Sequence, residues 1–160
     1  MTIGFILNGE DVLANSGAET RLVDILRDNF KFPGIKAGCC AGLCGSCTVI
    51  FNGNVVKSCL VPALKVQGSE IITIEGFSQT DEYQDIFLGF SEAGLENCGF
   101  CNTAKILATQ ALLGRNHNPT KDAILSAFYG IRCRCTEPEE LLRGVLAVIE
   151  CRRLTHYDRL

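Results

Sequence analysis

Eight of the ten cysteines fall into two four-thiol sets, and these sets constrain the fold more than any other feature of the chain. Cys39, Cys44 and Cys47 form a C-x4-C-x2-C run, and Cys59 follows beyond a tight turn. Cys98 and Cys101 form a CxxC pair, which Cys133 and Cys135 answer with a CxC. Four thiols that serve one centre must converge, so the segments carrying them must fold back on one another.

Composition decides how these thiols are used. The 160-residue chain is 47% hydrophobic and 21% charged, enough to build a core. Met1 to Phe5 shows no basic region ahead of an apolar one, so no secretory signal is expected. No run approaches the ~18 consecutive apolar residues of a membrane span. A cytoplasmic location is the resulting expectation, and there thiols stay reduced. The cysteines then read as metal ligands, with disulfides as the rival reading. A net charge of −3 without a basic run argues against nucleic acid as a partner.

The two halves differ in pattern. Thr2 to Leu7 alternates loosely and ends at Asn8-Gly9, a hairpin signal, with Glu10 to Asn15 as the return strand. Thr20 is expected to cap a helix to about Asn29, with Leu22, Ile25 and Leu26 inward. Thr48 to Phe51 and Asn54 to Lys57 flank a second turn at Asn52-Gly53, and Ile71 to Ile74 gives a last strand. After about Gly76 the pattern turns helical. Helices are expected over Asp81 to Ala93, over Asn102 to Leu113, and from Thr120 to near Tyr129. A last helix is expected behind Thr136 as cap, with Leu141, Leu142, Val145, Leu146 and Ile149 apolar.

Each set admits more than one reading. The first has the spacing of a plant-type [2Fe–2S] site, and Gly38, Gly42 and Gly45 would let backbone N–H groups reach the sulfurs. A thioredoxin-like pair at Cys44 and Cys47 would open a helix, whereas Thr48 to Phe51 continues as a strand. Cys40 would give x3 spacing and reads as a bystander, and Cys151 reads as a small core residue. In the second set, two helix N-termini would face one anionic centre. By spacing alone, a four-cysteine zinc staple stays open there. Arg132 and Arg134 are candidates for a carboxylate or phosphate, or simply solvated charges. His117 and His156 read as surface residues, and no nucleophile–base set or phosphate loop is apparent.

The motifs together resemble a known family. They are K-x-G-C-x4-C-G-x-C-T-V at Lys36 to Val49, S-C-L at Ser58 to Leu60, I-x-x-I-E-G at Ile71 to Gly76, C-G-F-C at Cys98 to Cys101 and C-R-C-T at Cys133 to Thr136. In this order they resemble the small iron–sulfur subunit of the molybdenum hydroxylases, the xanthine dehydrogenase and aerobic carbon monoxide dehydrogenase family. The resemblance implies an α+β fold: a ferredoxin-like β-grasp domain over residues 1–76, then an all-α four-helix domain over residues 77–160. It implies two [2Fe–2S] clusters, on Cys39, Cys44, Cys47 and Cys59 and on Cys98, Cys101, Cys133 and Cys135. It implies a hetero-oligomer with a large molybdopterin-binding subunit and an FAD-binding subunit. Electrons would pass from molybdenum to the helical-domain cluster, then the ferredoxin-like cluster, then FAD.

Three departures from the family pattern lie near the second set. Asn97 stands where the family usually has a Gln that contacts the molybdopterin. Asn102-Thr103-Ala104 stands for T-P-G, and Glu137-Pro138 for G-Y. The thiols are intact, so an electron-transfer role is expected, with Asn97 as a shorter cofactor contact. A free-standing two-cluster carrier and a zinc-stapled interaction module are the alternative functions.

Overall fold

A computed structural model of the protein describes residues 1–95 and 98–158, with side chains described up to residue 155. Asn97 and the His156 side chain lie outside these described parts.

Alternation builds the first hairpin. In β1 (Thr2–Leu7), Ile3, Phe5 and Leu7 are buried, and β2 (Glu10–Asn15) pairs with it antiparallel. Asn8 and Gly9 both have positive φ, 53° and 86°, as a type I′ turn requires. The same device, Asn52 at 47° and Gly53 at 75°, joins β3 (Thr48–Phe51) to β4 (Asn54–Lys57). With β5 (Glu70–Ile72) these form one mixed sheet of order β2-β1-β5-β3-β4, in which only the β1–β5 pairing is parallel.

The first helix and the last strand are bounded differently from the sequence reading. Helix α1 (Leu22–Asp28) starts behind Arg21, which makes no side-chain cap, rather than behind Thr20. Arg21 is held extended by a bridge to Pro62, and Thr20 gives its carbonyl to Ala63 N instead. The last strand stops at Ile72 rather than Ile74. Asn8 Oδ1 accepts from Thr73 N at 2.8 Å, and the short α2 (Ile74–Phe77) begins immediately.

Four helices follow: α3 (Asp81–Glu92), α4 (Asn102–Arg115), α5 (Lys121–Ala127) and α6 (Pro138–Asp158). Thr80 and Thr120 cap α3 and α5, their hydroxyls accepting from Tyr83 N and Ala123 N. Thr136 does not cap α6, which begins two residues later; the Glu140 carboxylate accepts from Glu137 N there at 2.7 Å. Leu146, expected on an apolar face of α6, is half exposed. Helices α3 and α6 cross closely, and a Cβ on Gly89 would lie 2.5 Å from Val148 N.

Two hydrophobic clusters result. One joins the inner sheet face to α1 through Ile3, Phe5, Leu22, Leu26 and Val49, and includes Cys47 and Cys59. The other lies among α3 to α6, and Ile50 of β3 belongs to it. The sheet is therefore covered on both faces. Phe77 belongs to the second cluster, so α2 lies across the expected junction between the halves.

Candidate metal centres

The loop from Lys36 to Cys47 is shaped around sulfur. Cys39 Sγ accepts backbone N–H groups from Ala41 at 3.4 Å, Leu43 at 3.2 Å and Cys44 at 3.3 Å. The amide of Ala41, then those of Cys44 and Leu43, hold its thiol down at about 6, so the anionic form is favoured. Gly42, at φ +72°, gives the left-handed turn that aims these donors, and its own amide reaches Cys59. A Cβ on Gly38 would sit 2.7 Å from Ser46 Oγ and 3.1 Å from Cys44 Sγ. Glycine at 38 thus lets Ser46 and the Cys44 thiol pack directly against the loop backbone.

Cys47 and Cys59 form the buried floor of this set. Ser58 locks them together, since its N–H and hydroxyl both donate to Cys47 O, at 3.1 and 2.7 Å. Burial, then the neighbouring Cys47 thiol, pushes Cys59 up to about 11. Lys57 Nζ donates to Gly42 O at 2.5 Å and straps the loop from the strand side.

The second set sits where α4 begins. Cys101 is the N-cap residue of α4, and Cys101 Sγ and Cys133 Sγ are 3.2 Å apart. Burial and then the bond to Cys133 push Cys101 up to about 12. The amide of Phe100, the Cys135 thiol and the amide of Cys101 hold Cys98 at about 7. Cys135 is pushed up, first by its bond to Cys98. Burial opposes ionisation of Cys133, but bonds from Cys101, the Cys135 amide and Thr136 outweigh it and lower its pKa. Among the described residues, only the α4 N-terminus directly adjoins these thiols in sequence; the first turn of α6 carries its own carboxylates, Glu139 and Glu140.

All eight sequence-predicted thiols are thus placed in two groups. Cys40 and Cys151 join neither: Cys40, at φ +52°, faces Arg21, and Cys151 donates to Glu92 Oε2 at 3.5 Å. Arg132, Arg134 and His117 are exposed. Among the described residues no three His, Cys, Asp or Glu gather round one point as a single ion would require. The thiols meet in smaller contacts instead: Cys101 with Cys133 at 3.2 Å, Cys39 with Cys44, Cys47 with Cys59, and Cys98 with both Cys135 and Cys101.

The two groups touch, which the sequence did not reveal. Arg132 N donates to Cys44 O at 3.0 Å. Lys36 Nζ donates to Gly99 O and lies 5.6 Å from the Phe100 ring centroid, a cation–π contact. Gly45, at φ +79°, lies so close to Gly130 that a Cβ there would be 2.5 Å from its carbonyl oxygen. Lys36 stood within a recognised motif, but nothing local marked it as a bridge. Lys105, fully buried beside the second set, was missed. Its signal was a charge four residues after Cys101 on an otherwise apolar helix face.

All-thiol donor sets spread over more than one point, with amides aimed at sulfur, suit clusters of two irons rather than single ions. Fold and site together define a two-centre iron–sulfur protein. Comparison with known proteins agrees. Residues 22–93 match the 2Fe-2S iron-sulfur cluster binding domain, and residues 73–146 match the [2Fe-2S] binding domain. The nicotinate dehydrogenase small FeS subunit of Eubacterium barkeri is 41% identical, over 85% of this chain and 87% of that one. The xanthine dehydrogenase iron-sulfur-binding subunit of Escherichia coli O157:H7 is 32% identical, over 91% and 92%. The structure of quinoline 2-oxidoreductase from Pseudomonas putida 86 superposes with a TM-score of 0.83 at 33% identity, covering 96% of each chain. The chain belongs to the small iron–sulfur subunits of the molybdenum hydroxylase family, electron-transfer components of oxidoreductases.

Proposed function

We propose that this chain relays electrons between a large molybdopterin-binding subunit and an FAD-binding subunit, in a cytoplasmic hetero-oligomer. The observation that carries this reading is the direct contact between two four-thiol sets, through Arg132 N and Cys44 O at 3.0 Å. Cys39 and Cys44 would hold one iron of the first cluster, and Cys47 and Cys59 the other. Cys98 with Cys135, and Cys101 with Cys133, would divide the second cluster in the same way. When bound, each cluster supplies a reversible one-electron couple. The chain's own residues supply the amides that favour anionic sulfur and the inter-loop contacts that fix one site beside the other.

Two units fit this role: residues 1–76 for the first cluster and residues 77–160 for the second. Cys39, Cys98 and Cys135 are exposed, so each set has a side that partners can approach. Leu43 and Leu60 are exposed near the first set, and Phe100 beside the second, as surfaces awaiting cover. Helices of the described residues are all too short or too polar to cross a membrane. Asn97 is proposed as the contact to the molybdopterin; Asn97→Ala should lower pterin occupancy of the purified complex, and unchanged occupancy removes Asn97 from the site.

The test of the assembly is native mass analysis after gentle purification of the tagged chain. A complex with a larger, pterin-containing chain is expected, through an interface of more than roughly 2,000 Å². A lone, redox-active chain would favour the free-standing carrier.

A further inference from the structure

Lys105 is fully buried, with 0% exposure, beside the second thiol set. It lies one helical turn after Cys101, and its N–H donates to Cys101 O at 3.1 Å. Residues four apart share a helix face, so its stem runs on the side that carries the cysteine. Its ammonium donates to Thr136 Oγ1 at 3.0 Å, and Thr136, also buried, directly follows Cys135. The side chain thus spans from the CxxC helix to the CxC loop, behind the thiols.

A buried ammonium is costly unless an anion faces it. Among the described residues, the ion pairs are Arg21–Asp24, Arg152–Asp85 and Arg153–Glu150, and none includes Lys105. The negative charge near it comes from sulfur. Cys101 lies one turn before Lys105 on the same helix, and Cys135 directly precedes the Thr136 hydroxyl that the ammonium bonds. Thr136 contributes an uncharged oxygen and satisfies only one of three donors.

We propose that Lys105 is a potential-setting residue: its fixed positive charge, buried behind Cys101, Cys133 and Cys135, favours the reduced state of the second cluster. This rests on the iron–sulfur reading of that set. Reduction adds one electron and neither makes nor breaks a bond. It makes an already anionic centre one unit more negative. A fixed cation stabilises the more negative state more, so the potential rises; net charge and burial are the levers. The first cluster has Lys36 and Lys57 at its edges, both only half buried, and lacks an enclosed cation of this kind among the described residues. The effect is therefore local to the second cluster, and it makes that cluster the better acceptor from an upstream donor.

The test uses the assembled protein with Lys105→Met, Lys105→Gln and Lys105→Arg. Iron is counted first, and each cluster is then titrated by EPR with dithionite and ferricyanide. Met removes charge and hydrogen bond, Gln keeps a donor for Thr136, and Arg keeps the charge. Met and Gln should lower the second cluster's reduction equilibrium about tenfold, the order one interior unit charge delivers. Tenfold is about 59 mV for a one-electron couple. Arg should stay within about threefold of the parent, and the first cluster should not move. A shift in Met alone would assign the effect to the hydrogen bond and overturn the charge proposal. Unchanged potentials, or equal shifts in both clusters, would overturn it as well. Absence of iron from the parent protein would instead remove the underlying iron–sulfur reading, and the initial iron count reads that separately.

Discussion

Gly45→Ala should damage the protein more than the equally left-handed Gly53→Ala, because it meets two separate obstacles. Its φ of +79° is a left-handed conformation, which costs a Cβ-bearing residue roughly 1–2 kcal/mol. The new Cβ would also lie 2.5 Å from Gly130 O and 3.0 Å from Ile131 Cα, both backbone atoms that cannot rotate away. Overpacking of this kind costs about 1–3 kcal/mol. The two together come to roughly 2–5 kcal/mol, or about 4–20 °C in melting temperature for a chain of this size. Gly53→Ala is the internal control. Its φ is +75°, but a Cβ there meets nothing within 4 Å. It should suffer the conformational cost alone, about 2–8 °C. Melting of the two cluster-loaded variants is followed side by side by circular dichroism and visible absorbance. Gly45→Ala should melt at the lower temperature and release iron to a chelator faster, since the strain falls between Cys44 and Cys47. Equal melting of the two variants would refute the close approach of the loops at residues 45 and 130.

Other substitutions probe separate parts of the structure. Cys40→Ser and Cys151→Ser should keep the parent's iron content, whereas Cys44→Ser should lose or strongly perturb the first cluster only, since a thiolate gives way to a poorer ligand; iron loss from Cys40→Ser with retention by Cys39→Ser would shift the register by one residue. Gly89→Ala drives a Cβ to 2.5 Å from Val148 N and should cost about 1–3 kcal/mol in thermal unfolding, by parting α3 from α6. Asn8→Ala leaves the buried Thr73 amide without its 2.8 Å acceptor and should cost about 1–3 kcal/mol, read in the same melts.

Local chemistry made much of this fold legible. Both Asn-Gly pairs marked their hairpins because type I′ turns demand positive φ at two successive positions. Thr80 and Thr120 stand ahead of helices where a hydroxyl acceptor is needed, and the helix expected from Thr120 does begin just behind it. Thr20 and Thr136 look identical in sequence and do not cap, because distant partners compete for the chain around them. Arg21 is pulled extended by Pro62, and Thr136 is taken by Lys105 across the second centre. The strand end at Ile72 was illegible for the same reason, since Asn8 from the first hairpin captures Thr73. Cysteine spacing named the thiol sets, but it could not show that they touch. That contact depends on Gly45 meeting Gly130 and on Arg132 reaching Cys44, pairs far apart in the chain.

The electron-transfer role rests on eight thiolates holding two [2Fe–2S] clusters. Its most direct test is the iron, acid-labile sulfide and zinc content of the anaerobically purified protein, with EPR of the reduced sample. About four irons and about four sulfides per chain are expected, two from each four-thiol set, with two distinct reduced-cluster signals. Stoichiometric zinc with little iron or sulfide would contradict the claim.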